Sequence, residues 1–252
     1  MKRIELFGSP ADVATMNETV EWIARRIEAR QFTQHVVVNV AKLVNAQTDG
    51  QLAESVRACD IVNIDGMGVV WAARALGFDV AERVAGVDLF GSLLGLAAQR
   101  VFPVFLLGAK PEIVAEVAKR SAESYPGLRI AGAHHGYFWD DERAVVEQIR
   151  ESGARLLFVA ITSPKKENFI NRWRDELGVD FVMGVGGTFD VVAGKVKRAP
   201  QWVQRAGMEW LFRVLQEPGR MWKRYLVTNS KFAGMLAKAW FQKQFFSSAR
   251  PS

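Results

Sequence analysis

The sequence predicts an α/β fold: a mainly parallel sheet with helices on both faces, followed by a C-terminal helical appendage suited to a membrane surface. Three observations carry this expectation. Short apolar runs rich in β-branched residues alternate with stretches of helical period as far as Asp190. Each run ends at a polar or turn-forming residue that leads into a helix start. Beyond Pro200 the pattern gives way to interleaved aromatic and basic residues. The boundary places a core at 1–199 and an appendage at 200–252.

The strands follow in order. Val36-Val37-Val38 runs to Asn39, and Ile61-Val62-Asn63-Ile64 ends at Asp65-Gly66. Val104-Phe105-Leu106-Leu107 ends at Gly108, after which Pro111 opens a helix carrying Ile113, Val114, Val117, Ala118 and Ser121 on one face. Leu156-Leu157-Phe158-Val159 runs to Thr162-Ser163-Pro164, and Phe181-Val182-Met183 runs into Gly184-Val185-Gly186-Gly187. In a parallel sheet covered on both faces, ligands sit beyond the carboxyl ends of the strands, so these terminal residues frame the expected site. In the appendage, Glu217-Pro218-Gly219 divides two helical pieces. In the second piece Phe232, Met235, Leu236, Ala239 and Trp240 share a face. That face suits either a lipid interface or docking onto protein.

The charge is unevenly spread. Residues 195–252 carry twelve Lys or Arg against Glu209 and Glu217, a net +10 in a chain of +6, which leaves −4 for residues 1–194. The basicity belongs to one end, and so does the partner it attracts. The single cysteine, Cys59, excludes an internal disulfide and fits a reducing compartment. No apolar run approaches the roughly 20 residues needed to span a bilayer, and the N-terminus has no signal-peptide core, so the expectation is a soluble protein, attached at most to one membrane face.

Several residues are placed for chemistry. Asp65, between a strand and the helix expected over 69–76, suits a general base, or a cap for that helix. Asp88 is placed to cap the next helix, and Arg83 to reach phosphate or solvent. The run 184–190 lacks the third glycine of a dinucleotide fingerprint, which would fall at Phe189, yet a Gly-rich turn there lets a diphosphate approach backbone N–H groups. Gly108-Ala109-Lys110-Pro111 lacks Walker spacing. His134 and His135, expected to point apart, have only His35 and Cys59 as further soft ligands, and no Asp-x-Asp closes a strand, so neither a metal nor another cofactor is expected.

Together the motifs resemble the WecG/TagA/CpsF family, glycosyltransferase family 26. The resemblance rests on Asp65-Gly66-Met67-Gly68 through Arg74, Arg83-Val84-Ala85-Gly86-Val87-Asp88-Leu89 and His135-Gly136-Tyr137-Phe138. It continues through Gly184-Val185-Gly186-Gly187-Thr188-Phe189-Asp190 to Pro200, and then Gly207-Met208-Glu209-Trp210-Leu211-Phe212-Arg213 and Leu215-Gln216-Glu217-Pro218. It implies a Rossmann-like core and an inverting, metal-independent transfer of N-acetylmannosamine, its uronic acid or a hexose. The donor would be a UDP-sugar and the acceptor a polyprenyl-diphosphate-linked saccharide of the cell envelope.

By resemblance Asp65 is the base, and Asn39 and Asp190 are pocket residues. Gly186 and Gly187 belong to the same Gly-rich motif as Asp190. Arg213, Arg220 and either Lys223 or Arg224 meet diphosphate; on one continuous helix the three arginines would share a face. Arg83, Asp88 and His135 join the substrate-binding set through their motifs. Where the family commonly has Pro-Lys-Gln-Glu, this chain has Pro164-Lys165-Lys166-Glu167, so Lys166 sets a cation at that position. The segment Ile161-Thr162-Ser163 also departs from the family's Gly-rich run.

The implied protein is cytoplasmic, peripheral on the inner face of the membrane, with its aromatic surface covered by lipid or by a second copy of the chain. Two rivals share these features: a nucleotide-dependent oxidoreductase, disfavoured by the failed fingerprint, and a nucleic-acid binder stacking bases on the basic aromatic tail. No nucleic-acid partner is expected.

Overall fold

A computed structural model describes residues 1–246, and of Arg220, Phe245 and Phe246 the backbone alone. Eight strands form one sheet: β1 (Lys2–Leu6), β2 (Ser9–Val13), β3 (Thr33–Val38), β4 (Ile61–Ile64), β5 (Val104–Gly108), β6 (Ile130–His134), β7 (Leu156–Ala160) and β8 (Phe181–Gly184). Their order is β1-β2-β4-β3-β8-β7-β5-β6, and all neighbours are parallel except β1 and β2. Every residue of β4, β5, β7 and β8 is buried, as continuous apolar runs between two helical layers require.

The core helices are α1 (Met16–Glu28), α2 (Val40–Asn45), α3 (Gly50–Arg57), α4 (Met67–Ala75), α5 (Gly86–Arg100), α6 (Pro111–Ser124), α7 (Glu142–Glu151), α8 (Lys165–Trp173) and α9 (Thr188–Val192). Connections stepping toward β6 place α1, α5 and α6 on one face, where they meet Phe90, Phe158, Phe181 and Phe189. Connections stepping toward β1 place α2, α3, α7 and α8 on the other, over Val36, Val62, Phe105 and Phe169. One handedness of crossover requires this division.

Three strands were not foreseen. β1 and β2 form a hairpin turning at Phe7-Gly8, both with positive φ (53° and 76°). A primed turn built on Phe-Gly lacks the Asn-Gly or Asp-Gly signature that announces a hairpin. β6 is a half-exposed edge strand, and the ring of Phe105 lies where a Cβ on its Gly132 would be, 2.5 Å away.

The appendage forms three helices, α10 (Gln201–Arg205), α11 (Glu209–Gln216) and α12 (Pro218–Phe246), one more than expected. The second break is at Gly207, whose φ of 68° suits glycine and whose Cβ position is taken by the Trp71 ring at 2.4 Å. The apolar face of α12 docks on its own domain: Phe232 is buried edge-on against Phe7 at 5.3 Å, with Met235 and Leu236 beside it. Trp202, Trp210, Leu215, Trp222, Leu226, Trp240 and Phe241 stay exposed. Among the described residues, no helix is long and apolar enough to cross a membrane.

Candidate active site

Asp65 leaves β4 with its N–H still bonded to Val38 O at 2.9 Å. The next residue, Gly66, has φ 97° and ψ 131° and is itself the N-cap of α4, with no side-chain cap. Asp65 therefore does not cap the helix it precedes, because the chain turns at a conformation open to glycine before that helix begins. Its carboxylate crosses the sheet end instead and accepts a long bond, 3.4 Å, from Gly86 N–H at the start of α5. Although Asp65 is only half-buried, the protein around it is dense, and desolvation raises its pKa against the opposing pull of Arg83, the Gly86 bond and Arg213. Glu209 pushes the same way as burial. A carboxylate that is poorly solvated and nearly unpartnered is a better base than one tied in an ion pair.

The cap expected of Asp88 is also corrected. α5 begins at Gly86 with Ala85 as its N-cap, so Asp88 lies inside the first turn. It takes a two-pronged ion pair from Arg198 at 2.5 and 2.6 Å. Arg198 also donates to Gln204 at 3.0 Å. Arg83 donates to the same Gln204 oxygen at 2.9 Å and to Glu209 at 2.8 Å. These five side chains form a clasp between loop, core and appendage. Arg198, Gln204 and Glu209 were missed as site residues, although Arg198 and Glu209 stand within the motifs that carry the family resemblance.

Beside the clasp, Gly186 (φ 50°) and Gly187 form an open turn, and a Cβ at either would meet nothing within 4 Å. Gly187, Asp190, Arg213, Gln216, Glu217, Met221 and Val196 line a small cavity of about 50 Å³ where α11 and α12 cross this turn. A roomier cavity, about 460 Å³, lies under α12 between Phe7, Phe78 and Met235, and none of the expected site residues lines it. The smaller one gathers three of the expected site residues, Gly187, Asp190 and Arg213, and Arg213 also acts electrostatically on Asp65.

Other expected residues are scattered. Asn39 caps α2 through Lys42 N–H at 2.9 Å, at the carboxyl end of β3. Lys166 is buried at the start of α8 beside Glu167 and Lys42, two residues the sequence reading did not select. His135 follows β6, five strands and so about 24 Å from the strand of Asp65. Its Nδ1 accepts Tyr137 N–H at 3.2 Å, and the rings of His134 and His135 touch at 4.4 Å rather than pointing apart. Lys223 and Arg224 are exposed on α12, and the Arg220 side chain lies outside the described residues. Arg213 lies on α11, which stops at Gln216, and Arg224 on α12, which starts at Pro218, so the break expected at Glu217-Pro218-Gly219 separates them. Among the described residues, no three His, Cys, Asp or Glu side chains gather to hold a metal ion.

The profile of the Glycosyl transferase WecG/TagA/CpsF family matches residues 4–245. An N-acetylglucosaminyldiphosphoundecaprenol N-acetyl-beta-D-mannosaminyltransferase of Bacillus spizizenii is 40% identical over 169 residues, 67% of this chain and 65% of that protein. The protein of the same name from Bacillus subtilis is 39% identical over 162 residues, 64% of this chain and 62% of that protein. The alignments thus span a little under two thirds of each relative's length. The family match takes in β1 through α12, with Asp65, the Gly-rich turn and the clasp inside it, and on that ground the chain belongs to the WecG/TagA/CpsF family of glycosyl transferases.

Proposed function

We propose that the protein is a glycosyltransferase that moves a sugar from a UDP-sugar onto a polyprenyl-diphosphate-linked saccharide in cell-surface polysaccharide biosynthesis. The relatives' names point to N-acetylmannosamine as the sugar and N-acetylglucosaminyl-diphosphoundecaprenol as the acceptor. The observation that carries this reading is Asp65, a desolvated carboxylate with one long hydrogen bond at a strand end, within electrostatic reach of Arg213.

Asp65 accepts the proton of the acceptor hydroxyl as that oxygen attacks the anomeric carbon. The carbon–oxygen bond to UDP breaks on the opposite side, so one in-line displacement inverts the centre. The β linkage in the relatives' name is what inversion of an α-linked donor gives. The diphosphate leaves as UDP with one negative charge more than it carried in the donor, and Arg213 and the backbone N–H groups of the Gly186-Gly187 turn would stabilise it without a metal ion. The exposed tryptophans of the appendage, with Lys223 and Arg224, suit an anionic leaflet, at about 1 kcal/mol per basic residue near the surface. This puts the enzyme on the cytoplasmic face, next to its lipid acceptor.

The test incubates the protein with UDP-N-acetylmannosamine and a short-chain N-acetylglucosaminyl-diphospholipid, with and without EDTA, and follows the product by mass spectrometry. The expected result is a mass gain of one N-acetylhexosamine in both conditions. No transfer from any UDP-sugar would overturn the reading, and loss only in EDTA would overturn its metal-free form.

A further inference from the structure

The segment that carries Arg83 runs beside the end of β4. Val84 N–H bonds Ile64 O at 2.9 Å, and Gly86 N–H reaches the Asp65 carboxylate at 3.4 Å. Arg83 therefore leaves the chain next to Asp65, and a guanidinium there is a natural partner for that carboxylate. It bonds elsewhere. Both of its outer nitrogens are taken by the appendage, Nη1 by Glu209 at 2.8 Å and Nη2 by Gln204 at 2.9 Å.

The appendage is built to hold Arg83 there. Gln204 donates its own Nε2 to Ala199 O at 2.7 Å, which turns its carbonyl oxygen toward Arg83 and Arg198. Glu209 and Arg213 stand four residues apart on α11, so one helix face presents an anion to Arg83 and a cation to the small cavity. Arg83 is only 14% exposed, so water screens its charge little, and the place where that charge is balanced matters to a carboxylate beside it. The charged groups around Asp65 are Arg83 from the loop before α5, Glu209 and Arg213 from α11, and Arg198, itself paired with Asp88. Burial acts most strongly on Asp65 and raises its pKa; Arg83 is the strongest charge opposing burial, and Glu209 works against Arg83.

We infer that Glu209 is a positioning residue for the transfer reaction: by holding Arg83 against the appendage it keeps that guanidinium off Asp65 and so sets the pH at which the base is free to act. The inference rests on the glycosyl-transfer reading. A carboxylate drawn into a pair with Arg83 is the weaker base, since the cation favours its charged form and occupies its lone pairs. The Arg83–Glu209 pair joins core to appendage, so the strength of the base depends on the appendage being seated.

The test uses the full chain as wild type, Glu209→Gln, Arg83→Gln and the double variant. The pH dependence of kcat/KM, with UDP-N-acetylmannosamine and a short-chain N-acetylglucosaminyl-diphospholipid, gives the acid limb. Carboxyl-carbon NMR of aspartate-labelled protein follows the same group without turnover, the Asp65 signal being assigned by its loss in Asp65→Asn. All three variants break the same contact, so lower stability and higher KM are common to them and the midpoint is the readout. Glu209→Gln should move the Asp65 midpoint to lower pH, Arg83→Gln should move it to higher pH, and the double variant should return it toward wild type. If breaking the clasp merely let water reach Asp65, all three variants would lower the midpoint, because desolvation is relieved in each. That result overturns the inference, and so does a midpoint that stays put. Transfer by the wild type with either of those outcomes sinks this inference alone. The expected midpoints without transfer from any UDP-sugar sink the glycosyl-transfer reading, and the role of Glu209 in it.

Discussion

The clasp and the pocket beside it hold similar charges in opposite states. In the clasp Arg83 meets Glu209, Arg198 meets Asp88, and Gln204 serves both arginines. Outside the clasp Asp65 has one long bond, and neither Arg213 nor Asp190, which line the pocket, has an ion-pair partner among the described residues. Charges that are paired at rest fix geometry; charges left unpaired in a desolvated place are kept for a ligand. The difference also sets Arg83, paired at rest with Glu209 and Gln204, apart from Arg213, which has no ion-pair partner among the described residues.

The largest effect tests the unpaired side. Asp65→Asn should lower turnover by about 10³-fold. It should also raise Tm at neutral pH. The raised pKa means that the folded state disfavours the charged carboxylate, so its contribution favours folding only at low pH and becomes a cost as pH rises through that pKa. Turnover and calorimetry on one preparation check both, and an active variant would remove Asp65 from the base role. Next in size, Arg213→Ala should cost about 10- to 100-fold in kcat/KM, and inhibition by UDP should weaken in parallel.

The paired side should respond differently. Glu209→Gln and Arg83→Gln should each destabilise the protein by about 1–2 kcal/mol, with a coupling of about 1 kcal/mol in the double-variant cycle. KM should rise more than kcat falls, because the clasp seats the appendage and does not touch the reacting atoms. Equal losses in kcat and kcat/KM would place these residues on the paired and the reactive side at once.

The smallest effects concern pH. Activity should fall on the acid side of a midpoint above the ordinary carboxylate range, because Asp65 must be ionised to act. Glu167 titrates oppositely. Burial pushes its pKa up, but Lys166 and Lys42 outweigh burial and hold it at about 2. Its stabilising pair is therefore intact above pH 4.5 and is lost as pH falls toward 2. Equilibrium unfolding from pH 6 to pH 2 checks this, and Glu167→Gln should flatten the acid limb.

Much of the frame was legible in the sequence. β4, β5, β7 and β8 announce themselves as buried runs, and Asp65 and the Gly-rich turn sit where such strands end. The clasp was not legible, because Arg83 and Glu209 lie 126 residues apart and nothing local couples them. Asp88 was misread for a local reason: the N-cap of α5 is Ala85, three residues before the acidic residue that suggested it. The apolar face of α12 was visible, but periodicity does not say whether lipid or Phe7 covers it.

The way α12 is fastened constrains traffic through the enzyme. Its first turn brings Met221 to the pocket, its middle buries Phe232 in the core, and Lys243 near its far end bonds Leu76 O at 2.9 Å. At 29 residues it is a rod of about 43 Å pinned at three places. Swinging it aside would expose Phe7 and its neighbours to water, so it is a poor door. Donor and product should instead pass along the sheet edge with the rod in place, and a crosslink between Lys243 and the end of α4 should leave turnover intact.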